Sequence, residues 1–544
     1  MEQKFSIYFT SDIHGYLYPE NYADREQKPL GLLAAAGSFC KDANTLVLDG
    51  GDMLQGSAFD MYCQKFAGDT TAQAEAMNAA GYDFVTIGNH DFNYGYEYLT
   101  GYLKKLHAKA VCANLRIKKE EDAELVKPYH IVRLENGLRV AVIGIVTDYV
   151  NVWEQKENLE YFEIGSPYEA LKQAIDEIGD RADIRVCIYH GGYEADLETG
   201  RILSTTGEDI GYQICRTLPV DILLTGHQHM AFSGKWINGT FTAQVPDKAR
   251  EYLHLSGVAY GDGLHVEAEL VPVKEADAEA IYSVISGSIR DTETEDKQAE
   301  DTETEEKEQL SKMKDAAKAL LPFEQKTQTW LDEPLGVLPR ELSPDTKIRM
   351  AVNGSPIADF INQIQLYYSG AQIACCGLAN EVGGFRTSVT TRDVIASYPY
   401  PNTLMVLEID GKTLRKALER TAEYFQPDES AEDGIRVADC FIKPKVEHYN
   451  YDYFAGIDYV IDAGKPAGSR IVSLLYQGKP VEDTDTFSLC LNNYRASGAG
   501  GYEMYQGLKV IKEINTEMTE LLIDYLGNHP QVELTEEKSY RVIW

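Results

Sequence analysis

The sequence predicts an α/β protein of two domains, and three observations carry that prediction. At 544 residues the chain is too long for one hydrophobic core, and a hydrophobic content of 44% is enough for two. Five short apolar runs are separated by helix-like stretches: Phe5 to Phe9, Leu46 to Leu48, Phe84 to Ile87, Val186 to Ile188 and Ile222 to Leu224. Such runs read as parallel strands covered on both faces. Each is followed at once by a small polar block, at the strand end where open α/β sheets place their chemistry.

In order, the blocks are Asp12-x-His14, Gly51-Asp52, Gly88-Asn89-His90-Asp91, His190-Gly191-Gly192 and Gly226-His227-Gln228-His229. Glycine recurs beside the polar residues, because a chain turning sharply off a strand needs positive φ or a close backbone approach. Between the third and fourth blocks, Ser166-Pro167-Tyr168-Glu169 is a capping box with proline at the first helical position, which opens a helix to about Asp180. His265 to Val273 reads as the last strand of a first domain spanning 1–275.

Residues 291 to 308 then repeat themselves, Asp291 to Lys297 being echoed by Asp301 to Lys307. With ten acids, two lysines and Ala299 as the lone apolar residue, this stretch cannot bury a core and should be solvated or disordered. It is read as an insert at the junction, an acidic partner-binding tail being the alternative. Ser311 to Leu320 has helical composition, so 276–330 is an acidic insert followed by a linker helix.

The second domain, 331–544, alternates helical and strand patterns. Helices are expected from Ser355-Pro356 to about Tyr368, from Thr391, and over Lys412 to Phe425. Strands are expected at Thr403 to Ile409, Tyr459 to Asp462, Ile471 to Tyr476 and Thr486 to Leu491. Two loops, Tyr398-Pro399-Tyr400-Pro401-Asn402-Thr403 and Asn492 to Tyr502, set tyrosines among turn residues, where full burial is difficult. Facing rings there would make a slot for a planar base, with stacking of about 1–3 kcal/mol per base; rings packed on the domain's own core are the alternative.

The formal charge of −35 argues against a protein that tracks a polynucleotide backbone. Nine cysteines include no C-x-x-C pair and read as free thiols. The first strand begins almost at Met1, leaving no room for a signal sequence. No apolar stretch is long enough to span a membrane. The expectation is a cytoplasmic protein, with export from a chain whose signal is absent here as the alternative; oligomeric state is not legible.

Asp, Asn and neutral His offer mixed oxygen and nitrogen donors. The seven in these blocks, Asp12, His14, Asp52, Asn89, His190, His227 and His229, are too many for one ion but suit two that share a carboxylate. Two cations about 3.5–4 Å apart can clamp an in-line displacement at phosphorus and lower the pKa of a bridging water to roughly 7.

The ordered set resembles the calcineurin-like metallophosphoesterase signature, D-x-H, G-D, G-N-H-[D/E], H and G-H-x-H, with every block present. That resemblance implies a four-layer αββα sandwich holding two divalent metal ions, with manganese, zinc or iron expected. Asp12, His14, Asp52 and His229 would hold one, Asp52, Asn89, His190 and His227 the other. It also implies that His90 does not ligate but meets the phosphate and helps the leaving oxygen depart. Asp91 either orients His90 or caps the following helix. In many 5'-nucleotidases an Asp three residues after this His supports it; here that place is Asn93, a departure from a strict dyad.

The tyrosine loops, with Gly383-Gly384-Phe385-Arg386 and Ile457 to Arg470, are similar to the C-terminal nucleotide-binding α/β domain of the 5'-nucleotidase family, so the likeness covers nearly all of the chain but the acidic insert. It implies that Tyr400 and Tyr494 sandwich the base, with Asn402 beside the first ring and Arg386 meeting the substrate, and that domain closure joins base site to metal site. The 5'-specific members carry a ribose-binding Asp shortly after the second aromatic, at the place of Gly500 here. The motif strings are instead similar to bacterial 2',3'-cyclic-nucleotide 2'-phosphodiesterase/3'-nucleotidases. The implied activity is hydrolysis of 2',3'-cyclic nucleotides and 3'-nucleotides to nucleoside and phosphate. The alternative is a 5'-nucleotidase or UDP-sugar hydrolase on the same scaffold. The expected partner is a small-molecule nucleotide, with no polynucleotide and no membrane. A catalytically idle nucleotide-binding protein would have broken ligand blocks, and none is broken.

Overall fold

The computed structural model describes residues 2–204, 207–261, 263–287, 301–400, 402–431, 434–443, 445–514, 516–535 and 540–544, with 301–304 as backbone alone. The chain divides into two compact units, Met1–Gln328 and Thr329–Trp544.

The first unit is built on two sheets. Gln3–Thr10 lies at the middle of a seven-stranded sheet, parallel to Thr45–Asp49, which is followed by Phe84–Val85, and antiparallel to Glu251–Tyr260. In the six-stranded sheet Ile184–His190 is parallel to both Arg139–Val146 and Ile222–Thr225. Side chains alternate across each strand, so Ile7, Phe9, Leu46 and Leu48 of one sheet meet Val140, Val186, Ile188 and Leu224 of the other in a single buried core. The alternate residues Ile143, Cys187, Tyr189 and Leu223 face outward onto Leu171, Ile175 and Ile178 of the helix Pro167–Ile178. On the far side Tyr8 stacks on Phe39 at 5.0 Å, and the helices Leu32–Ala36, Thr71–Ala80, Gly95–Lys105 and Glu275–Ser286 form the fourth layer.

The five apolar runs are all strands, but they do not share one sheet. Three belong to the seven-stranded sheet and two to the six-stranded one. A continuous apolar run reports that both faces are covered, not whether a helix or another sheet covers them. Face-to-face packing brings five strand ends from two sheets to one edge of the sandwich.

Ser166 caps its helix by accepting from Glu169 N, as its capping box predicts. Where it is described, the acidic repeat is solvated, as expected, and helical: Glu305, Lys307 and Glu308 are exposed. The helix Asp301–Leu331 takes in the second copy, and Glu306 pairs with Lys274 at 2.8 Å. Residues 291–300 lie outside the described residues. Glu and Lys are good helix formers, and a helix needs only one apolar stripe to dock. Met313, Ala317 and Leu320 are that stripe, all buried, and Tyr18 Oη donates to Ala317 O at 2.8 Å.

The second unit holds a five-stranded sheet ordered Asp452–Ala455, Ile373–Gly377, Thr486–Asn492, Leu404–Asp410 and Val510–Ile514. A four-stranded sheet contains Asp458–Asp462 and Ile471–Tyr476. Pro356–Ser369 starts where Ser355 accepts from Ala358 N, Thr391–Ser397 starts on a capping box of Thr390 and Asp393, and Gly411–Ala422 starts where Asp410 accepts from Thr413 N. All nine cysteines are free, seven of them buried. Among the described residues no helix is long and apolar enough to cross a membrane.

Candidate metal centre

Strand ends set the ligand-type residues, and loop geometry aims them. Asp12, His14, Asp52, His227 and His229 all have φ between +52° and +67°, the left-handed region that costs a non-glycine residue roughly 1–2 kcal/mol. Most glycines of the blocks serve a different need, close approach. A Cβ on Gly88 would lie 2.1 Å from Asp52 Oδ1, and one on Gly226 would lie 2.5 Å from Asp12 Oδ2.

The structure brings the seven residues together. Ligand atoms of Asp12, His14 and His229 lie within 4.8 Å of one another, as do those of Asp12, Asp52 and His190. His190 Nε2 is 3.2 Å from Asp52 Oδ2 and 3.0 Å from Asn89 Oδ1, and His227 Nδ1 is 2.9 Å from the same Asn89 oxygen. His229 Nε2 is 3.3 Å from Asp12 Oδ1 and 3.2 Å from His14 Nε2.

The outer nitrogens of these rings decide what the inner ones can do. His14 Nδ1 lies 2.7 Å from Gln55 O, and His190 Nδ1 lies 2.7 Å from Gly50 O. His227 Nε2 lies 3.0 Å from Glu208 Oε1. Carbonyl and carboxylate oxygens only accept, so each of these ring nitrogens donates. In the neutral rings of His190 and His227 the inner nitrogens therefore present lone pairs to the oxygens of Asp52 and Asn89. Acceptors facing acceptors at 2.9–3.2 Å repel unless something positive lies between them.

A proton can serve at His190: burial opposes its charge, yet the Asp52 carboxylate beside it pushes the ring up to about 10. No proton serves at His14, which burial pushes down to about 4. Burial would raise Asp12 as well, but its hydrogen bond to His229 and the charges of His190 and His229 hold it well below the usual carboxylate range. Ionised carboxylates, neutral imidazoles and an amide oxygen, with His14, His190 and His227 braced from behind, fit divalent cations.

Asp91 has a role that neither sequence reading anticipated. Its carboxylate accepts from the backbone N–H groups of Asp52, Met53, Leu54 and Gly88, at 2.8–3.0 Å. It thus fastens the Gly51-Asp52 turn to the Gly88-Asn89 turn. The side chain on the His90 ring is instead Asn93, whose Oδ1 is 2.8 Å from His90 Nδ1. His90 lies beside the cluster, its ring centroid 5.5 Å from that of His14, and its backbone N–H donates to Asp52 Oδ1 at 2.7 Å.

Sequence reasoning missed Glu208, Trp153 and Glu154. Trp153 stacks on His227 at 5.5 Å and 24°, and Glu154 Oε2 accepts from Asn93 Nδ2 at 2.5 Å. The acidic pair Glu208-Asp209 ahead of a helix-like run was the one visible signal; Trp153 and Glu154 had none, because their partners are far along the chain.

In the second unit Tyr400 is partly buried, with ring neighbours Tyr398 at 6.2 Å and Tyr449 at 6.4 Å. Tyr449 is a further missed residue, from a segment remote in sequence. Tyr494 lies under Arg495, whose guanidinium carbon is 5.8 Å from the ring centroid. The backbone oxygen of Asn402 accepts from Met518 N at 2.8 Å. Arg386 is 59% exposed and bonds Asp393 Oδ1 at 2.8 Å and Thr390 Oγ1 at 3.0 Å.

Comparison with known proteins places both units. Residues 5–231 match the calcineurin-like phosphoesterase family, and residues 336–507 match the 5'-nucleotidase C-terminal domain. The chain is 32% identical to a Staphylococcus aureus chain described as a 5'-nucleotidase, covering 100% of each, with a TM-score of 0.83. It is 25% identical to the Haemophilus influenzae 2',3'-cyclic-nucleotide 2'-phosphodiesterase/3'-nucleotidase, over 90% of this chain and 80% of that protein. It is also 25% identical to the trifunctional nucleotide phosphoesterase protein YfkN of Bacillus subtilis, over 96% of this chain but only 38% of that longer protein. The phosphoesterase domain implies divalent metal ions, and the C-terminal domain implies a small-molecule nucleotide substrate. The chain is a phosphoric ester hydrolase and belongs to the 5'-nucleotidase family, a calcineurin-like phosphoesterase domain followed by a 5'-nucleotidase C-terminal domain.

Proposed function

We propose that this enzyme hydrolyses 2',3'-cyclic nucleotides and 3'-nucleotides to nucleoside and phosphate. Asp12, His14, Asp52 and His229 hold one divalent cation, Asp52, Asn89, His190 and His227 the other, and the donor set suits manganese, zinc or iron. Bound there, the cations supply Lewis-acid polarisation of the phosphoryl oxygens and acidify the attacking water. The protein's own work is positional. Asp91 keeps the Asp52 and Asn89 turns in register through four backbone N–H groups. His90 delivers a proton from Nε2 to the departing ribose oxygen. Nucleoside recognition falls to Tyr400, Tyr494, Asn402 and Arg386.

The observation that carries the choice of ester is Gly500, the place where the 5'-specific members bear a ribose-binding carboxylate. It sits at φ +73°, and a Cβ there would lie 2.1 Å from Asn450 Oδ1 and 2.2 Å from Arg495 Nη1. No side chain fits, so the 2' and 3' side of the sugar is left unclaimed. A second reading, a 5'-nucleotidase or UDP-sugar hydrolase, is favoured by the full-length likeness to the S. aureus chain. Turnover of 3'-AMP and 2',3'-cyclic AMP against 5'-AMP and UDP-glucose separates the two. Preference for the first pair is expected, and hydrolysis of the second pair alone rejects the proposal. With a formal charge of −35, single-stranded DNA should remain uncut under the same conditions.

A further inference from the structure

We propose that Glu154 is a positioning residue for His90, acting through the side-chain amide of Asn93. The inference rests on the reading above, in which His90 Nε2 meets the leaving oxygen. It accounts for how a neutral Asn can stand where a carboxylate would hold the ring unaided.

An amide beside an imidazole is ambiguous. With its oxygen toward the ring it accepts from Nδ1–H; rotated by half a turn, its N–H donates to a bare Nδ1 and the ring proton moves to Nε2. Glu154 removes the ambiguity. Its carboxylate can only accept, so Asn93 Nδ2, 2.5 Å from Oε2, must donate to it. Asn93 Oδ1 then faces the ring, and His90 Nδ1, 2.8 Å away, must carry a hydrogen. Nε2 is left as the nitrogen that faces the substrate: the ring takes its second proton there, gives it to the leaving oxygen and returns to the Nδ1–H form. An amide rotated to donate to Nδ1 would leave Nδ1–H no acceptor and so oppose the doubly protonated ring that acts as donor. The rotated amide would set its oxygen against a carboxylate oxygen, replacing a charge-assisted hydrogen bond with repulsion.

Glu154 is itself held firmly. Its Oε1 accepts from Asn158 Nδ2 at 2.8 Å and from Gln155 N at 2.7 Å, and Asn158 Nδ2 also reaches the backbone oxygen of Asn93 at 2.8 Å. It follows directly on the short helix Val150–Trp153 that comes after the strand Arg139–Val146. The preceding residue, Trp153, stacks on His227. One turn of chain thus braces a ring of the ligand cluster and the ring beside it.

The test uses the full-length protein in three forms. Glu154→Gln lets the Asn93 amide rotate, since glutamine both donates and accepts. Its kcat on 3'-AMP should fall by about 10- to 100-fold with KM within about twofold, as expected for an impaired proton donor. p-Nitrophenyl phosphate, whose leaving group departs without a proton, should lose less than about threefold. Nitrogen NMR of histidine-labelled, metal-free protein should give His90 as the Nδ1–H tautomer in the wild type and a mixture in Glu154→Gln. Adding Asn93→Asp to Glu154→Gln should restore kcat, because a carboxylate needs no orienting. Asn93→Asp alone should not, because it sets two carboxylates side by side. An equal fall on both esters, an unchanged NMR spectrum or failure of the rescue overturns the inference. Wild-type protein that turns over no nucleotide overturns the functional reading instead, while the metal-free spectrum still decides whether Glu154 sets the tautomer.

Discussion

Replacing Arg495 with methionine tests how the tyrosine loop is held. Arg495 and Asp452 are 4% and 2% exposed, and their fork is bidentate, Nε to Oδ2 at 2.9 Å and Nη2 to Oδ1 at 3.1 Å. The same guanidinium donates to Ala499 O at 2.7 Å, Tyr449 O at 2.9 Å and Asn450 Oδ1 at 3.3 Å. Methionine fills much of the volume and replaces none of these bonds. Asp452, which burial already raises against the opposing pull of Arg495, is left a buried carboxylate without a counter-charge. Breaking a buried pair in this way costs about 3–5 kcal/mol. In a unit of this size each kcal/mol shifts Tm by roughly 2–4 °C, so calorimetry should show the second unit melting about 6–20 °C lower. The double variant Arg495→Met with Asp452→Leu should recover much of the loss, because no charge is then stranded. KM for nucleotides should rise in the single variant while that for p-nitrophenyl phosphate holds, since Tyr449 and Ala499 lose their tether. A shift below about 2 °C, or a double variant no more stable than the single, refutes the reasoning.

Asp52→Asn should abolish turnover of every ester and lower bound metal as measured by elemental analysis; full metal content with full activity would remove Asp52 from the centre. Glu208→Gln exchanges the carboxylate behind His227 for a neutral group, so calorimetric titration with manganese should give about 10- to 100-fold weaker binding, and an unchanged affinity contradicts that bracing role. Asp359 is pushed up to about 6 by burial, Arg340 opposing. The folded state therefore binds the proton more tightly than the unfolded chain, and stability falls as pH rises from about 4 to about 6 and stays lower above. Asp359→Asn should accordingly gain on the order of 3 kcal/mol above pH 6 and nothing below pH 4, read as Tm against pH; an equal gain at both ends counts against the argument.

The ligand blocks were legible because each lies within a few residues of the apolar run that positions it. What braces them was not. Asp91 reads as a helix cap or a partner of the adjacent histidine, yet it binds backbone N–H groups at Asp52, Met53 and Leu54, a relation no local spacing encodes. Glu208 reaches His227, and Glu154 reaches Asn93, only once separate strands have delivered both ends. Cover was equally hidden, since Phe9 and Leu224 would be apolar whether a helix or the opposite sheet lay over them. Composition showed that the second acidic repeat is solvated, but not that it is helical: Glu305, Lys307 and Glu308 are exposed on a helix whose apolar footing lies at Met313 and Ala317, beyond the repeat itself. Tyr449 carries no local signal, because it meets Tyr400 from a segment outside the turn-rich loops.

Backbone strain at the centre follows from the same geometry. Five ligand-type residues in the left-handed region represent roughly 5–10 kcal/mol of conformational cost, comparable with the whole stability of a domain. Such strain persists only where the surroundings over-determine it. Here the loops lace one another: Asp12 N donates to Gly51 O at 2.9 Å, His14 N to Asp52 O at 2.8 Å and Lys248 N to Asp12 O at 2.8 Å. His227 N, from the opposite sheet, donates to the Asp12 carboxylate at 3.0 Å. Neither sheet alone could close that lacing, which is why ligands from both must meet at one edge. It also explains why glycine was an incomplete guide to the turns. Glycine would bend the chain at less cost, but a residue that must both turn the backbone and present a ligand atom cannot be glycine, so strain falls on the aspartates and histidines themselves.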